Sequence, residues 1–82
     1  MAPCFPLYLE RTEPARNMAR FYVLTLETDL LGDIVVIRRW GRIGTSGRQM
    51  KVPCPSAQAA ITILAQLERA KRRRGYSERD CN

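Results

Sequence analysis

Ile34-Val35-Val36-Ile37-Arg38-Arg39-Trp40-Gly41-Arg42, continued by Ile43-Gly44-Thr45-Ser46-Gly47-Arg48, is the stretch whose reading decides the fold. Four β-branched residues running towards the single Trp of the chain mark a buried strand. The Gly/Thr/Ser cluster that follows marks a tight turn, where glycine supplies positive φ or lets two backbones approach closely. Side chains alternate along a strand, so Arg38, Trp40 and Arg42 fall on one face near its end. An aromatic plate between two guanidiniums, beside a loop of backbone N–H donors, suits a sugar–phosphate chain with an exposed base better than it suits a small ligand.

Working upstream, Arg20 to Thr28 reads as a second strand, with Tyr22, Leu24 and Leu26 on one face and Phe21, Val23 and Thr25 on the other. Both faces are apolar enough for a central strand. The link Asp29-Leu30-Leu31-Gly32-Asp33 joins it to Ile34–Arg42 as an antiparallel hairpin, with Gly32 at the special backbone position. Phe5 to Thr12, with Phe5, Leu7 and Leu9 at alternate positions, is the first strand, and Glu13-Pro14-Ala15-Arg16-Asn17 is a connecting turn. Downstream, Arg48 to Pro53 is the fourth strand, with Met50 and Val52 on one face and Gln49 and Lys51 on the other. Pro53-Cys54-Pro55 stops it. Ser56 is an N-cap, and from Ala57 to about Arg74 the apolar residues Ala60, Ile61, Ile63, Leu64, Leu67 and Ala70 recur at helical spacing. Ile61, Leu64 and Leu67 are expected to anchor this helix on the sheet, at about 1.5–3 kcal/mol each. Gly75 takes the residue after the helix end, and Tyr76 leads a short final strand or packs back on the sheet. The fold class expected is α+β: a small antiparallel sheet of four or five strands with one long helix on one face, in the order β-β-β-β-α. One domain spans 1–82, with a core of about 5–76 and loose ends at 1–4 and 77–82.

Length and charge narrow the function. The 82 residues have room for a single domain, and 45% apolar content suffices for a core. Net charge is +6 and unevenly spread. Residues 1–37 carry three Arg against five acids, a net of −2, whereas residues 38–82 carry eleven Lys/Arg against three acids, a net of +8. A basic half on a near-neutral half is the footprint of a polyanion binder. The three cysteines, Cys4, Cys54 and Cys81, are widely spaced, with no Cys-x-x-Cys pair and no His. That pattern points to reduced thiols in a cytoplasmic protein with no metal centre. The amino-terminal residues lack the pattern of a signal peptide, and no run approaches the ~20 apolar residues of a membrane span. Without His, paired carboxylates or an activated thiol, no enzyme activity is expected. The glycine loop is Gly-x-x-Gly-x-x-Gly leading into a strand, so it predicts a tight hairpin and no nucleotide cofactor.

Taken together, ARFYVLTL (19–26), LLGDIVVIRR (30–39), WGRIGTSGR (40–48) and KRRRGY (71–76) resemble the WGR domain, a module of DNA-dependent poly(ADP-ribose) polymerases and of small bacterial proteins. The resemblance covers about Leu7 to Tyr76, with the four motifs in the family's order. It implies that Trp40 and Arg42 match the Trp and Arg that meet sugar–phosphate and terminal bases at a DNA break. No stretch is left for a polymerase catalytic domain, so that activity is not carried across.

Each candidate residue has a structural and a functional reading. Trp40 is either a core residue at a strand end or a stacking plate, and its arginine neighbours favour the plate. Arg42 is either half of a surface ion pair, contributing about 0–1 kcal/mol, or a bidentate phosphate clamp. Arg38, Arg39, Arg48 and Lys51 would extend the basic surface, with the choice between Arg38 and Arg39 open. Lys71, Arg72, Arg73 and Arg74 either complement the helix dipole or touch phosphate. The reading reached is a non-catalytic, nucleoid-associated or free cytoplasmic module that binds nucleic acid, DNA rather than RNA, at ends, nicks or single strands. The alternatives are a protein-docking module and a purely structural role with Trp40 buried and Arg42 fixing the hairpin.

Overall fold

The computed structural model describes residues 6–78. Local chemistry sets each turn. At the first hairpin the Asp29 carboxylate accepts from the backbone N–H of Leu31 (3.0 Å) and of Asp33 (2.9 Å), and Gly32 takes φ 87°. This turns strand β2 (Met18–Thr28) back into β3 (Ile34–Arg42). Before them, β1 (Leu7–Glu13) reaches β2 through one 3₁₀ turn, Pro14–Arg16, closed by Asn17 in the left-handed region. Phe5, assigned to the first strand from sequence, lies outside the described residues. The glycine loop returns β3 into β4 (Arg48–Cys54).

The helix α1 (Ala57–Arg73) starts where Ser56 accepts from the N–H of Ala59, and it ends in a Schellman arrangement. The N–H of Gly75 bonds to the Arg72 carbonyl and that of Tyr76 to the Lys71 carbonyl, with Gly75 at φ 96°. The chain emerges into β5 (Ser77–Glu78), which pairs with Leu9 and Glu10 of β1. Those two residues were expected in a loose tail, but the Schellman turn delivers them directly to an open strand edge. The five strands are antiparallel in the order β4-β3-β2-β1-β5, with β2 central as its two apolar faces require.

One sheet face carries α1. Leu7, Leu9, Tyr22, Leu24, Val36 and Cys54 meet Ala60 and Leu64 of the helix, with Tyr76 closing the end. Ile61 departs from the expectation, at 55% exposed. At 100° per residue, Ala60, Leu64, Leu67 and Lys71 stay within a narrow stripe, while Ile61 lies about a quarter-turn off it. The opposite face is held by Phe21, Val23 and Val35, all buried, with Tyr8 stacked on Phe21 at 6.1 Å. Cys54 is a buried free thiol, and Cys4 and Cys81 lie outside the described residues. Among the described residues no helix is long and apolar enough to cross a membrane.

The glycine loop has two different requirements. Gly44, at φ 98°, has open space where a side chain would go. At Gly47, with φ 71°, a Cβ would run into the Trp40 carbonyl and the Phe21 ring, and a Cβ on Gly41 would meet the Gly47 backbone at 2.8 Å. Gly44→Ala should therefore cost the left-handed penalty of about 1–2 kcal/mol, and Gly47→Ala clearly more. Urea denaturation of the two variants checks this, and equal losses would show that the loop relaxes away from Trp40.

Candidate nucleic-acid interface

Register brings the site together. Tyr22 pairs with Trp40, Trp40 with Arg48, and Arg20 with Arg42. All of these, with Arg38, lie on the face that carries α1, at the end the helix leaves uncovered. Trp40 is half-buried, packed on the hydrophobic core on one side. The Arg38 guanidinium sits over its ring at 5.0 Å, an attraction of about 0.5–2 kcal/mol depending on solvation. Arg42 is exposed and donates to Asn17, Nη1 to the carbonyl (3.2 Å) and Nη2 to Oδ1 (3.3 Å). The neutral partner orients this guanidinium without cancelling its charge. The connecting turn thus does more than connect, because the left-handed Asn17 supplies both acceptors.

The other candidates divide by face. Arg39 points to the opposite side of the sheet, over the Phe21 ring at 5.4 Å. With Lys51 it lines a shallow groove of about 320 Å³ beside Val23, Thr25, Glu27 and Ile37. Strand parity separates both from Trp40, so neither extends that surface. The four-cation run at the helix end also splits. Arg72 is ion-paired with Glu68 (2.8 Å) and Glu78 (3.4 Å), and Arg73 lines the helix flank with Arg69. Lys71 instead turns inward, its Nζ 4.8 Å from the centre of the Tyr22 ring and 5.3 Å from that of Tyr76. Burial, then the guanidiniums of Arg74, Arg38 and Arg20, hold the Lys71 ammonium below the ordinary lysine pKa. Arg20, absent from the sequence-derived candidates, could have been found by parity, since it shares the even face of β2 with Tyr22.

Arg20, Arg38, Arg42, Arg48, Lys71 and Arg74 have no carboxylate partner among the described residues. At their centre, the Tyr22 hydroxyl and Arg38 Nε are buried without a hydrogen-bond partner. Burial, opposed by Arg38, raises the Tyr22 phenol above its usual pKa. No cluster of three or more His, Cys, Asp or Glu among the described residues could hold a metal ion. Chemically the arrangement is a set of anion-seeking donors beside an indole.

The WGR domain family matches residues 5–82. The chain belongs to the WGR family. A relative in Sinorhizobium fredii, the uncharacterized protein y4dW, is 45% identical over 75 residues. The match covers 92% of this WGR chain but 37% of y4dW, so the chain spans little more than a third of that protein's length. No solved structure matches. The Trp-Gly-Arg motif lies within the candidate surface: Trp40 supplies the ring, Gly41 the close approach to Gly47, and Arg42 the guanidinium held by Asn17.

The unpartnered phenol makes a testable cost. A buried hydroxyl without a partner destabilises by about 1–3 kcal/mol, so Tyr22→Phe should be at least as stable as wild type at neutral pH. Because the folded-state pKa is raised, both states hold the proton below about pH 10, and stability falls as pH rises from there towards the folded value. Tyr22→Phe should flatten that alkaline decline. Denaturant melts at pH 7 and above pH 10 check both, and a loss at neutral pH would mean the hydroxyl is satisfied in solution.

Proposed function

We infer that this WGR chain is a non-catalytic nucleic-acid-binding module that holds DNA by its phosphates while Trp40 stacks on a sugar or base. The observation that carries the reading is the group of guanidiniums, Arg20, Arg38, Arg42 and Arg48, gathered without carboxylates around a half-buried indole. Like charges packed together destabilise a fold unless a counter-charge arrives, and a polyanion is the partner that removes the cost. The family resemblance adds weight, since in the polymerases the motif's Trp and Arg meet DNA at breaks. A stacking plate needs an unstacked face, which favours ends, nicks and single strands over intact duplex. Trp stacking contributes about 1–3 kcal/mol per base, which is roughly 5–150-fold in affinity.

Fluorescence anisotropy with nicked, blunt and single-stranded oligonucleotides tests the reading. With about four phosphates neutralised, the log–log salt slope on duplex should be near −3.6, and Arg42→Ala should reduce it by about one unit. Trp40→Ala should weaken binding to ends and nicks more than to intact duplex. Equal binding by wild type and a folded Trp40→Ala/Arg42→Ala variant would eliminate this surface.

A protein-docking reading has one observation in its favour. Leu30 and Leu31, at the tip of the β2–β3 hairpin, are 105% and 87% exposed. A protein partner captured after nuclease treatment, and lost with Leu30→Ser/Leu31→Ser, would support docking at that tip. Loss of every partner on nuclease treatment would refute it.

A further inference from the structure

The tip of the β2–β3 hairpin carries apolar side chains where turns ordinarily carry polar ones. Leu30 and Leu31 stand at its centre, 105% and 87% exposed. The turn beneath them is firmly closed. The N–H of Asp29 donates to the Asp33 carbonyl (2.8 Å) and that of Gly32 to the Asp29 carbonyl (3.0 Å). The N–H groups of Leu31 and Asp33 both donate to Asp29 Oδ1. Two leucines are thus presented on a preorganised support, which lowers the ordering cost of any contact they make. The carboxylates of Asp29 and Asp33 flank them, and neither has a cationic partner among the described residues.

The sheet face away from α1 holds a match for that tip. The groove of about 320 Å³ on that face contains Val23, which is buried, Ile37, which is half-buried, and Pro6. Exposed Arg39 and Lys51 line it as well. Strand pairing puts Arg39 beside Val23 and Lys51 beside Ile37, with Glu27 nearer the tip. Neither cation is ion-paired among the described residues, even with Glu27 in the same groove. An apolar hollow beside unpaired cations complements an apolar tip beside unpaired acids. At about 3.3 Å per residue, Leu30 stands about 16 Å along β2 from Thr25 in the groove. A hairpin cannot bring its own tip back onto its own strands at that distance, so the tip that fits must come from another chain.

We propose that the chain self-associates as a closed pair in which the Leu30–Leu31 tip of each copy seats in the groove of the other. Leu30 and Leu31 meet Val23, Ile37 and Pro6, while Asp29 and Asp33 meet Arg39 and Lys51. Tip and groove belong to one hairpin, so two copies turned end for end make both contacts at once, and the assembly closes at two. The one like-charge approach is that of Glu27 to its counterpart near the two-fold axis, which keeps the pair reversible. Because α1 and Trp40 lie on the other sheet face, both Trp40 surfaces stay open and point away from each other. The proposal goes beyond the nucleic-acid reading, does not depend on it, and gives the hairpin tip its partner: a second copy of this chain.

The test is sedimentation velocity of the full chain over a wide concentration range, without nucleic acid. Wild type should pass from the 9.4 kDa monomer to a dimer and no further. Leu30→Ser/Leu31→Ser, at two solvent-exposed positions, should weaken the association by roughly tenfold or more. A charge exchange makes the test specific. Asp29→Asn/Asp33→Lys keeps the side-chain oxygen that closes the turn but reverses the sign of the tip, and Arg39→Glu/Lys51→Glu reverses the groove. Each of these alone should stay monomeric where wild type is dimeric, because like charges then meet. Mixed in equal amounts they should form a heterodimer, because both of its contacts are complementary. The leucine result stands independently of how well the charge variants fold. A wild type that stays monomeric at every concentration, whatever other protein its tip captures, would overturn the proposal. So would growth beyond a dimer, undiminished association of Leu30→Ser/Leu31→Ser, or a mixture of folded charge variants that does not associate. None of these outcomes touches the Trp40 surface, which the anisotropy titrations read separately.

Discussion

The pairing of Tyr22 with Trp40 across β2 and β3 governs the rest of the molecule. It puts every even-numbered residue of both strands on the face that receives α1. Leu24, Val36 and Tyr22 thereby enter the core, while Arg20, Arg38 and Arg42 share that face at its uncovered end. A slip of one residue would exchange the two faces of a strand. The core and the cationic surface are therefore two ends of one register, and neither can be moved without the other.

Continuity of core and site explains how an Arg-rich surface is tolerated. Trp40 anchors one edge in the hydrophobic cluster and offers its ring to Arg38, and Tyr22 does the same for Lys71. Arg42 is steadied by the neutral oxygens of Asn17. Each contact holds a cation in place without neutralising it. By contrast, Arg11, Arg16 and Arg72 are ion-paired to Glu13, Glu68 or Glu78, away from the indole. The buried, unpartnered Tyr22 hydroxyl and Arg38 Nε sit on the uncompensated side of that division. Local hydrogen-bond satisfaction is incomplete there.

Much of this was legible in the sequence. Period-two alternation identified β2, β3 and β4 and their faces, the glycines at 32 and 75 marked the turn and helix end, and Ser56 announced the helix start. Trp40, Arg38 and Arg42 were placed on one face by parity alone. Ile61 was misplaced because an apolar residue within a helical run does not state which side of the stripe it occupies, and 100° per residue turned it to solvent. Arg39, Lys51, Arg72 and Arg73 were grouped with the site by charge, which carries no direction. Strand parity sends the first two to the other face, and helix rotation sends the last two to the flank.

By itself, then, the sequence determined the elements, their turns and the side of each strand on which a residue falls, because these follow from periods of two and 3.6 and from the backbone chemistry of Gly, Pro, Asn and Ser. Only the tertiary structure decided where along the sheet the helix stops. That single placement left Trp40 half-buried instead of covered, and brought Lys71 onto the Tyr22 ring. The pairing of β2 with β3 likewise joined Asn17 to Arg42, 25 positions away in the chain. Such pairings depend on how layers of fixed thickness and length stack, a quantity no local stretch encodes.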